Sequence, residues 1–246
     1  MASTQDERSQ KEQATASASP LDAVHAYSTT HGEPLPDALP AEPFSTLHAW
    51  LDEATRRKLQ PNPNAMALAT ASANGHPSVR IVLCRTIDVE RGALWFYTNY
   101  DSRKGRELAA NPRAAVVFHW DAVERQARVE GVVERLSDAD NDAYFSSRRW
   151  EKRAGAWASD QSRPIESRPA LLDKVERSLR RFDIDPADPP PADADLDIPR
   201  PPHWGGFRLV ADAAELWVGS PARIHDRARW TRPTPDAPWT ATRLQP

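Results

Sequence analysis

Five short apolar or alternating runs follow one another between residues 65 and 136, and they constrain the fold more than any other feature of the chain. The link between the first two contains Asn74-Gly75, a strong hairpin signal, and Gly92 marks the turn before the third. Runs this close together, with few helices between them, favour antiparallel pairing over a doubly wound sheet. We therefore predict a mainly β protein, an antiparallel barrel with flanking helices. Its strands are predicted over 65–70, 79–85, 94–98, 115–120, 127–136, 206–210, 215–218 and 239–244.

Helical spacing occurs at four places around these runs. Before the first run, apolar residues recur at positions 47, 50, 51 and 54, and Ser45 is the expected N-cap of that helix. Because the helices interrupt the series of strands without alternating regularly with them, we expect them to flank the sheet. The other three are predicted over 102–110, 138–146 and 169–182, the second with Ser137 as its N-cap.

Three stretches lie outside this pattern. Residues 1–20 are polar and poor in aromatic residues, so we predict a disordered tail. Residues 21–43 are punctuated by prolines and are predicted to form an extended N-terminal segment. Residues 183–202 are rich in Asp, Pro and Ala, and we expect a mobile surface loop that buries little apolar surface. The predicted domain around the sheet spans 44–246.

The charge balance narrows the class of partner. Lys and Arg number 32 against 35 Asp and Glu, for a net charge of −3, which gives no general attraction to nucleic acid or to an anionic membrane. No apolar run is long enough to cross a bilayer, and the first residues lack the apolar centre of a secretory signal. Cys84 is the single cysteine, and the seven histidines have no zinc-ligand spacing. We expect a cytoplasmic protein with no nucleic-acid, membrane or metal partner.

Cationic residues gather where the helix over 102–110 begins. Ser102-Arg103-Lys104 opens that helix, and Arg80 lies on a neighbouring predicted strand. A helix N-terminus offers free N–H groups and a positive dipole end, and guanidinium and ammonium groups add full charges, which together suit a phosphate. A solvated basic helix start is the alternative. Basic residues oppose the helix dipole there, however, and a bound anion would relieve that cost.

Two further groups of polar residues could hold an anion or a reacting ring. Tyr144 and Arg148 end the helix over 138–146, although an ordinary amphipathic helix end is the simpler interpretation. Arg223, His225 and Arg227 alternate, so in an extended segment they would share one face. Three cationic or titratable groups on one face repel each other unless an anionic or π-rich group lies between them. A solvated surface strand remains the alternative.

These groups belong to a series of short motifs that occur in a fixed order along the chain. The series includes Arg80-Ile81-Val82-Leu83, Phe96-Tyr97-Thr98-Asn99, Ser102-Arg103-Lys104, Tyr144-Phe145-Ser146-Ser147-Arg148, Trp204-Gly205-Gly206-Phe207-Arg208 and Arg223-Ile224-His225-Asp226-Arg227. Each motif alone is weak, but their joint order from about residue 43 to the C-terminus resembles that of the pyridoxamine 5'-phosphate oxidase family.

The resemblance implies an FMN-binding split β-barrel and a homodimer with FMN at the subunit interface. It also assigns the cofactor contacts by position, with cationic residues for the FMN phosphate and the remaining residues for the rest of the flavin. The implied cofactor-binding residues are Arg80, Ile81, Val82, Leu83, Tyr97, Thr98, Ser102, Arg103, Lys104, Gln126, Gln161, Ser162, Trp217 and Arg227.

The same resemblance implies a reaction. Pyridoxamine 5'-phosphate or pyridoxine 5'-phosphate would be oxidised to pyridoxal 5'-phosphate by passing a hydride from C4' to flavin N5, and dioxygen would then reoxidise the flavin to give hydrogen peroxide. Tyr144 and Arg148 would bind the substrate phosphate. Arg223 and His225 would be the catalytic residues over the pyridine ring.

This chain departs from the family pattern at the substrate end. Arg85 and Lys152 stand where the family usually has a lysine and a serine, and we predict that both contact the substrate. The N-terminal segment, which could act as a substrate lid, keeps only the tyrosine of the family's covering motif, in Val24-His25-Ala26-Tyr27. Two alternatives therefore stay open: a related FMN oxidase of another compound, such as a phenazine-type metabolite, or a non-catalytic flavin-binding protein.

Overall fold

The structure, a computed structural model, describes residues 33–220 and 223–246. The predicted tail and residues 21–32 of the predicted lid, including Val24-His25-Ala26-Tyr27, lie outside these ranges. Residues 33–43 form neither helix nor strand, and they bind the C-terminal strands. The backbone N–H of Leu35 donates to Asp226 Oδ2 at 2.7 Å, and Arg243 Nη2 donates to the carbonyl of Pro36 at 2.7 Å. Leu35 is buried.

The described residues form nine strands and five α-helices. In chain order the helices are α1 (Phe44–Arg56), α2 (Arg103–Ala110), α3 (Asp138–Ser146), α4 (Trp150–Ala158) and α5 (Arg168–Arg180). The strands are β1 (Ala65–Ala71), β2 (Pro77–Leu83), β3 (Thr86–Asp88), β4 (Ala93–Asn99), β5 (Arg113–Trp120), β6 (Arg125–Arg135), β7 (Trp204–Val218), β8 (Asp226–Thr231) and β9 (Thr240–Leu244).

All nine strands belong to one curled sheet. Its order is β2-β1-β5-β6-β7-β4-β3, with β8 pairing with both β7 and β9. Each pairing between the described strands is antiparallel. The curl brings β2 into contact with β4, although they are far apart in the sheet order. The predicted antiparallel, mainly β architecture with flanking helices is confirmed.

The hydrophobic core fills the inside of this curl. Along β6, buried and half-buried residues alternate, as expected for a strand with one face on the core. Phe96, Phe118 and Leu209 are fully buried there. Helix α1 closes one side, where the ring of Trp50 lies edge-on to that of Trp120 at 6.4 Å.

Strand β7 is continuous, whereas the sequence analysis predicted two separate strands at 206–210 and 215–218. The alanines between those runs have weak strand propensity, but Ala211, Ala213 and Ala214 are buried, and packing overrides propensity in a central strand. The first part of β7 pairs with β4 and its last part with β8 on the same edge. This strand therefore connects two distant regions of the molecule.

The structure also corrects the predicted N-cap of α1. The N-cap position is Pro43, not Ser45, because the carboxylate of Glu42 accepts the first free backbone N–H groups. Its Oε2 accepts from Phe44 at 2.6 Å, and its Oε1 from Ser45 at 3.1 Å. The predicted cap at Ser137 is confirmed, since its hydroxyl accepts from the backbone of α3 at 3.1 Å.

Three elements were not predicted, namely β3, α4 and β8. Helix α4 gives no starting signal, because its N-cap is Arg149 and no side chain caps it. Strand β3 has only three residues, too few for a periodic pattern.

The Asp/Pro-rich tract between 183 and 202 buries more than expected. Ile184 and Ile198 are each 3% exposed and pack with Trp150 of α4 in a second small core. The indole N–H of Trp150 donates to the carbonyl of Pro191 at 2.9 Å. The expectation that this tract buries little apolar surface is therefore wrong, because two isoleucines among the acids and prolines anchor it to α4.

Candidate functional site

A cavity of about 250 Å³ lies where β2 approaches β4, beside α2 and α3. Strands β2 and β4 contribute most of its lining, and each helix contributes one residue. The ten lining residues all belong to the set predicted above from sequence. They are Arg80, Ile81, Val82, Leu83, Arg85, Tyr97, Thr98, Lys104, Tyr144 and Gln161.

Two features of the backbone give the cavity its shape. The curl of the sheet brings Arg80 of β2 near Tyr97 of β4. Opposite Tyr97 lies Gly206 of β7, and a Cβ atom there would be 2.7 Å from Tyr97 Cε1. Only glycine leaves room for this tyrosine ring against the strand.

A buried carboxylate organises two of the cationic residues beside the cavity. Glu107 of α2 accepts from Thr70 Oγ1 at 2.5 Å, from Ser78 Oγ at 2.6 Å and from Arg103 Nε at 2.9 Å. Arg80 Nη2 lies 3.4 Å from the same carboxylate. Burial raises the pKa of Glu107, but these hydrogen bonds outweigh it and hold the pKa at about 2. Glu107 is therefore an anion that fixes both guanidinium groups.

The ammonium of Lys104 is buried among neutral oxygen atoms. Its Nζ donates to Gln161 Oε1 at 2.7 Å, to Thr98 Oγ1 at 3.0 Å and to Ser102 Oγ at 3.3 Å. In the part of the chain that the structure describes, no carboxylate lies within ion-pair distance of Nζ. Burial, together with the positive charge of Arg80, lowers the pKa of Lys104 to about 8. This arrangement suits an anionic ligand, which would supply the missing countercharge.

Three aromatic rings stack beside the cavity, with an arginine at each end of the stack. The Tyr97 ring lies 3.9 Å from that of Tyr144 and 5.3 Å from that of Trp204, and the planes are within 18° of each other. The guanidinium carbon of Arg85 lies 5.8 Å from the Tyr144 ring centre, and that of Arg148 lies 4.6 Å from the Trp204 ring centre. Burial raises the pKa of Tyr97 to about 12, so its hydroxyl stays protonated.

A second group of predicted site residues lies across β6, β7 and β8. Gln126 is directly opposite Trp217, which is directly opposite Arg227. Residues opposite each other in antiparallel strands point to the same face, so the three form one row. Glu215, only 5% exposed, accepts from Arg227 Nε at 3.0 Å and Nη2 at 2.8 Å. Both nitrogens donate to the same carboxylate oxygen, Oε1, and this charge-assisted contact holds the guanidinium at one end of the row.

His225 joins this second group, but the segment before it is not extended as predicted. The His225 ring lies 4.7 Å from the Trp217 ring, and its Nδ1 accepts from the backbone N–H of Ser220 at 3.1 Å. Arg223 has φ 59°, in the left-handed region, and β8 begins only at Asp226. Strict alternation from Arg223 onward is therefore wrong, because a turn precedes the strand.

The two groups lie at opposite ends of β7. Tyr97 of the cavity pairs with Gly206 near the start of the strand, whereas Gln126 and Arg227 flank Trp217 near its end. The distance along the strand between these positions is about 35 Å. One small ligand cannot contact both groups within a single chain.

The remaining predicted residues lie outside the cavity lining. Arg103 is 58% exposed at the start of α2, and Ser102 is the N-cap of that helix. Lys152 and Ser162 are exposed, the latter with φ 69°. Among residues 33–220 and 223–246, no helix is both long and apolar enough to span a membrane, and no three His, Cys, Asp or Glu side chains are grouped to hold a metal.

Three residues that shape the site were given no role by the sequence analysis. Glu107 lies four positions after Arg103 on a helix, a spacing that predicts an ion pair. Glu215 is an acidic residue inside an apolar strand, which indicates a paired buried charge. Trp204 had no sequence signal beyond its place in a motif.

Two family models together match most of the chain. Residues 51–180 match a family described as pyridoxamine 5'-phosphate oxidase. Residues 204–246 match a family described as the pyridoxine 5'-phosphate oxidase C-terminal dimerisation region. The second match contains β7, β8 and β9, and therefore Trp217, His225 and Arg227, whereas Gln126 of β6 lies in the first match.

Curated relatives agree with these matches over most of their length. A pyridoxine/pyridoxamine 5'-phosphate oxidase of Cupriavidus necator is 50% identical over 205 residues, which cover 83% of this chain and 89% of that protein. A protein of the same name from Methylibium petroleiphilum is 48% identical over 206 residues, covering 84% of this chain and 89% of that protein.

Two solved structures share the fold. PhzG from Burkholderia lata, in complex with tetrahydrophenazine-1-carboxylic acid, has a TM-score of 0.74 and 31% identity, covering 85% of this chain and 95% of PhzG. A pyridoxamine 5'-phosphate oxidase-related, FMN-binding protein from Nostoc punctiforme has a TM-score of 0.62 and 18% identity, covering 85% and 100%. The latter likeness concerns the fold alone.

Proposed function

Because the chain belongs to the pyridoxamine 5'-phosphate oxidase family, we propose that it is an FMN-dependent oxidase of pyridoxamine 5'-phosphate or pyridoxine 5'-phosphate. Family membership makes it an oxidoreductase with FMN as its cofactor. The observation that carries the proposal is the cavity beside Lys104, whose ten lining residues include cationic, amide and aromatic side chains. Its product would be pyridoxal 5'-phosphate.

The cationic end of the cavity fits the phosphate of FMN. Lys104 lacks an anionic partner among the described residues, and Arg80 is held beside it by Glu107. A phosphate has both the charge and the acceptor atoms that these groups require. Arg103, at the exposed start of α2, would complete the cationic end, with the free N–H groups of the helix.

We propose that each cofactor site is completed by a second copy of the chain. The cavity of one chain is smaller than the roughly 300–1,000 Å³ of typical cofactor sites. Val79 and Ile81 of β2, the second of which lines the cavity, are 68% and 65% exposed, so a partner could cover them. The match to a dimerisation region supports a homodimer. The row of Gln126, Trp217 and Arg227 would then contact the flavin in the partner's cavity.

The substrate end carries cationic groups for a second phosphate. Arg148 Nη1 is buried and has no hydrogen-bond partner within the described ranges, so an anionic ligand would satisfy it. Tyr144 and Arg85 line the adjacent cavity. We assign these three residues to the substrate phosphate. Lys152 is exposed on α4 and would reach the substrate only from the rim.

His225 and Arg223 would orient the pyridine ring. Because the backbone N–H of Ser220 donates to His225 Nδ1, the neutral ring carries its proton on Nε2, which can donate to a substrate oxygen. Arg223 adds a positive charge next to that donor, and it can stabilise negative charge that develops on the ring.

The overall reaction is a two-electron oxidation. When bound, FMN supplies a hydride acceptor that dioxygen can reoxidise. The two electrons and two protons removed from the alcohol substrate end in hydrogen peroxide. The amine substrate additionally consumes water and releases ammonia.

An aerobic assay tests this proposal directly. Purified FMN-loaded protein incubated with either phosphate ester should form pyridoxal 5'-phosphate and hydrogen peroxide in equal amounts. Under nitrogen, the same addition should bleach the flavin absorbance. Protein that stays yellow under nitrogen and yields no peroxide in air would contradict the oxidase assignment.

The likeness to PhzG favours a second candidate, an FMN oxidase of a phenazine-type ring. Arg85 in place of the family's usual lysine is consistent with an altered substrate end. The higher identity to the curated oxidases and the unsatisfied donor of Arg148 favour the phosphate ester. A reduced phenazine carboxylate that is oxidised faster than either phosphate ester would support the second candidate.

The pKa of Lys104 predicts how FMN affinity depends on pH. In the free protein Lys104 loses its proton near pH 8, and a bound phosphate would raise that pKa. Affinity should therefore be constant below pH 8 and weaken by up to about tenfold per pH unit above it. Quenching of FMN fluorescence by apoprotein from pH 6.5 to 9.5 measures this. Lys104→Arg stays charged throughout, so its profile should be flat, and an equally flat wild-type profile would contradict the assignment.

A further inference from the structure

Two aromatic faces, not a carboxylate, hold the guanidinium of Arg148. Its central carbon lies 4.6 Å from the Trp204 ring centre and 5.3 Å from that of Phe145. Across residues 33–220 and 223–246, no acidic side chain lies within ion-pair distance of it. Burial lowers the pKa of Arg148, and its Nη1 atom has no hydrogen-bond partner among the described residues. The group is thus held in place while its donors remain unused.

Two other arginines of the site, Arg227 and Arg80, are held by carboxylates instead. Arg227 is paired through two nitrogens with the buried Glu215, and Arg80 lies against Glu107. A carboxylate occupies donors of the guanidinium and cancels its charge. An aromatic face attracts the cation but leaves the in-plane N–H groups free. Arg148 therefore has more capacity for an incoming anion than a carboxylate-paired arginine would have.

Trp204 is itself firmly positioned. It is 8% exposed and stacks on Tyr97 with ring planes 12° apart. Its carbonyl accepts from Arg200 Nη1 at 3.0 Å, and Arg200 Nη2 donates to Asp138 of α3 at 2.8 Å. Since α3 leads directly to Arg148, this link fixes the backbone of Trp204 relative to the segment that carries the guanidinium, while the stacking on Tyr97 orients the indole.

We propose that Trp204 is a positioning residue for Arg148, and that its indole face is what directs this guanidinium to the phosphate of the substrate. The inference rests on the proposed function, because it takes the anion to be the phosphate of a pyridine ester. It adds a specificity determinant: Trp204 sets how strongly the site prefers a phosphorylated ligand over the same ring without phosphate.

Equilibrium binding measures this preference without relying on turnover. Calorimetric titration of FMN-loaded protein with pyridoxal 5'-phosphate and with pyridoxal gives two dissociation constants. The preference for phosphate is the dissociation constant of pyridoxal divided by that of pyridoxal 5'-phosphate, and this is the ratio that the variants should change. Trp204→Leu should reduce that ratio about tenfold, as expected for a desolvated cation–π contact. Pyridoxal affinity and FMN content should stay near wild type. Trp204→Phe, which keeps an aromatic face, should reduce the ratio less than Trp204→Leu does.

Trp157 provides a matched control. The guanidinium carbon of Arg181 lies 4.0 Å from the Trp157 ring centre, and neither residue lines the cavity. Trp157→Leu removes the same kind of contact and should leave the ratio unchanged. Arg148→Ala should lower the ratio, and adding Trp204→Leu to it should lower it little further, because both changes act on one guanidinium.

Several results would overturn the inference. They are a wild-type protein that binds both ligands equally, a Trp204→Leu variant with an undiminished ratio, and a variant that loses both ligands or FMN to the same extent. The last would show a structural role only. Absence of peroxide from wild type in the aerobic assay would instead overturn the proposed oxidation, and the binding ratios would still decide the role of Trp204.

Discussion

Replacing Arg223 with alanine should lower the turnover number of the FMN-loaded protein by about a hundredfold to a thousandfold, the usual loss when a charged donor is removed from developing charge. The protein should stay yellow. Arg223 is exposed, and its backbone N–H donates to the Ser220 carbonyl at 2.9 Å. The substitution therefore removes a guanidinium without opening a cavity in the core. Alanine has to adopt the same left-handed φ as arginine, so the backbone strain at this position is unchanged.

Stopped-flow reduction of the flavin under nitrogen isolates this effect from the reaction with dioxygen. Arg223→Lys keeps a positive charge and should recover part of the rate. Arg149 supplies the matched control, because it is 58% exposed and pairs only with Glu151 among the described residues. Arg149→Ala should reduce the flavin at the wild-type rate. A colourless Arg223→Ala protein, or one with full activity, would contradict the catalytic assignment.

The sheet was predictable because the sequence signals for its strands are local. Alternation and the Asn74-Gly75 turn reflect the period and chirality of strands, which act over a few residues. The continuous β7 was not predictable, since the alanines that join its two halves become strand only when they are packed between β6 and β8. Helix α4 was not predicted because no side chain caps its start. The tract after α5 was predicted to bury little because its two buried isoleucines are isolated among polar residues and form no periodic pattern.

Motif order named all ten residues that line the cavity, but not how the fold brings them together. No local pattern in the sequence predicts that Arg80 and Tyr97 line one cavity across the curl of the sheet. None predicts that Trp217 lies at the far end of β7 from them. The buried acids Glu107 and Glu215 had helix and strand signals that could have been used. The cation–π contact of Arg148 with Trp204 joins positions 56 residues apart in sequence, and only the fold brings them together.

The separation of the two groups along β7 predicts the outcome of a subunit-mixing experiment. Lys104→Met removes the ammonium proposed for the FMN phosphate, and Arg223→Ala removes the charge proposed for the pyridine ring. If each site takes Lys104 from one chain and Arg223 from its partner, a heterodimer with one substitution on each chain has one doubly altered site and one intact site. It should recover about half of wild-type activity, although each single variant alone is nearly inactive.

The reciprocal heterodimer gives the decisive contrast. Pairing a chain that carries both substitutions with a wild-type chain puts one defect into each shared site, so activity should stay near that of the single variants. Sites built within one chain would reverse both results, with half activity in the second heterodimer and almost none in the first. Co-expression with two affinity tags isolates each heterodimer, and peroxide formation measures its activity. The roughly 35 Å between the groups along β7 favours the shared site, because a single chain cannot bring Lys104 and the residues around Trp217 to one flavin.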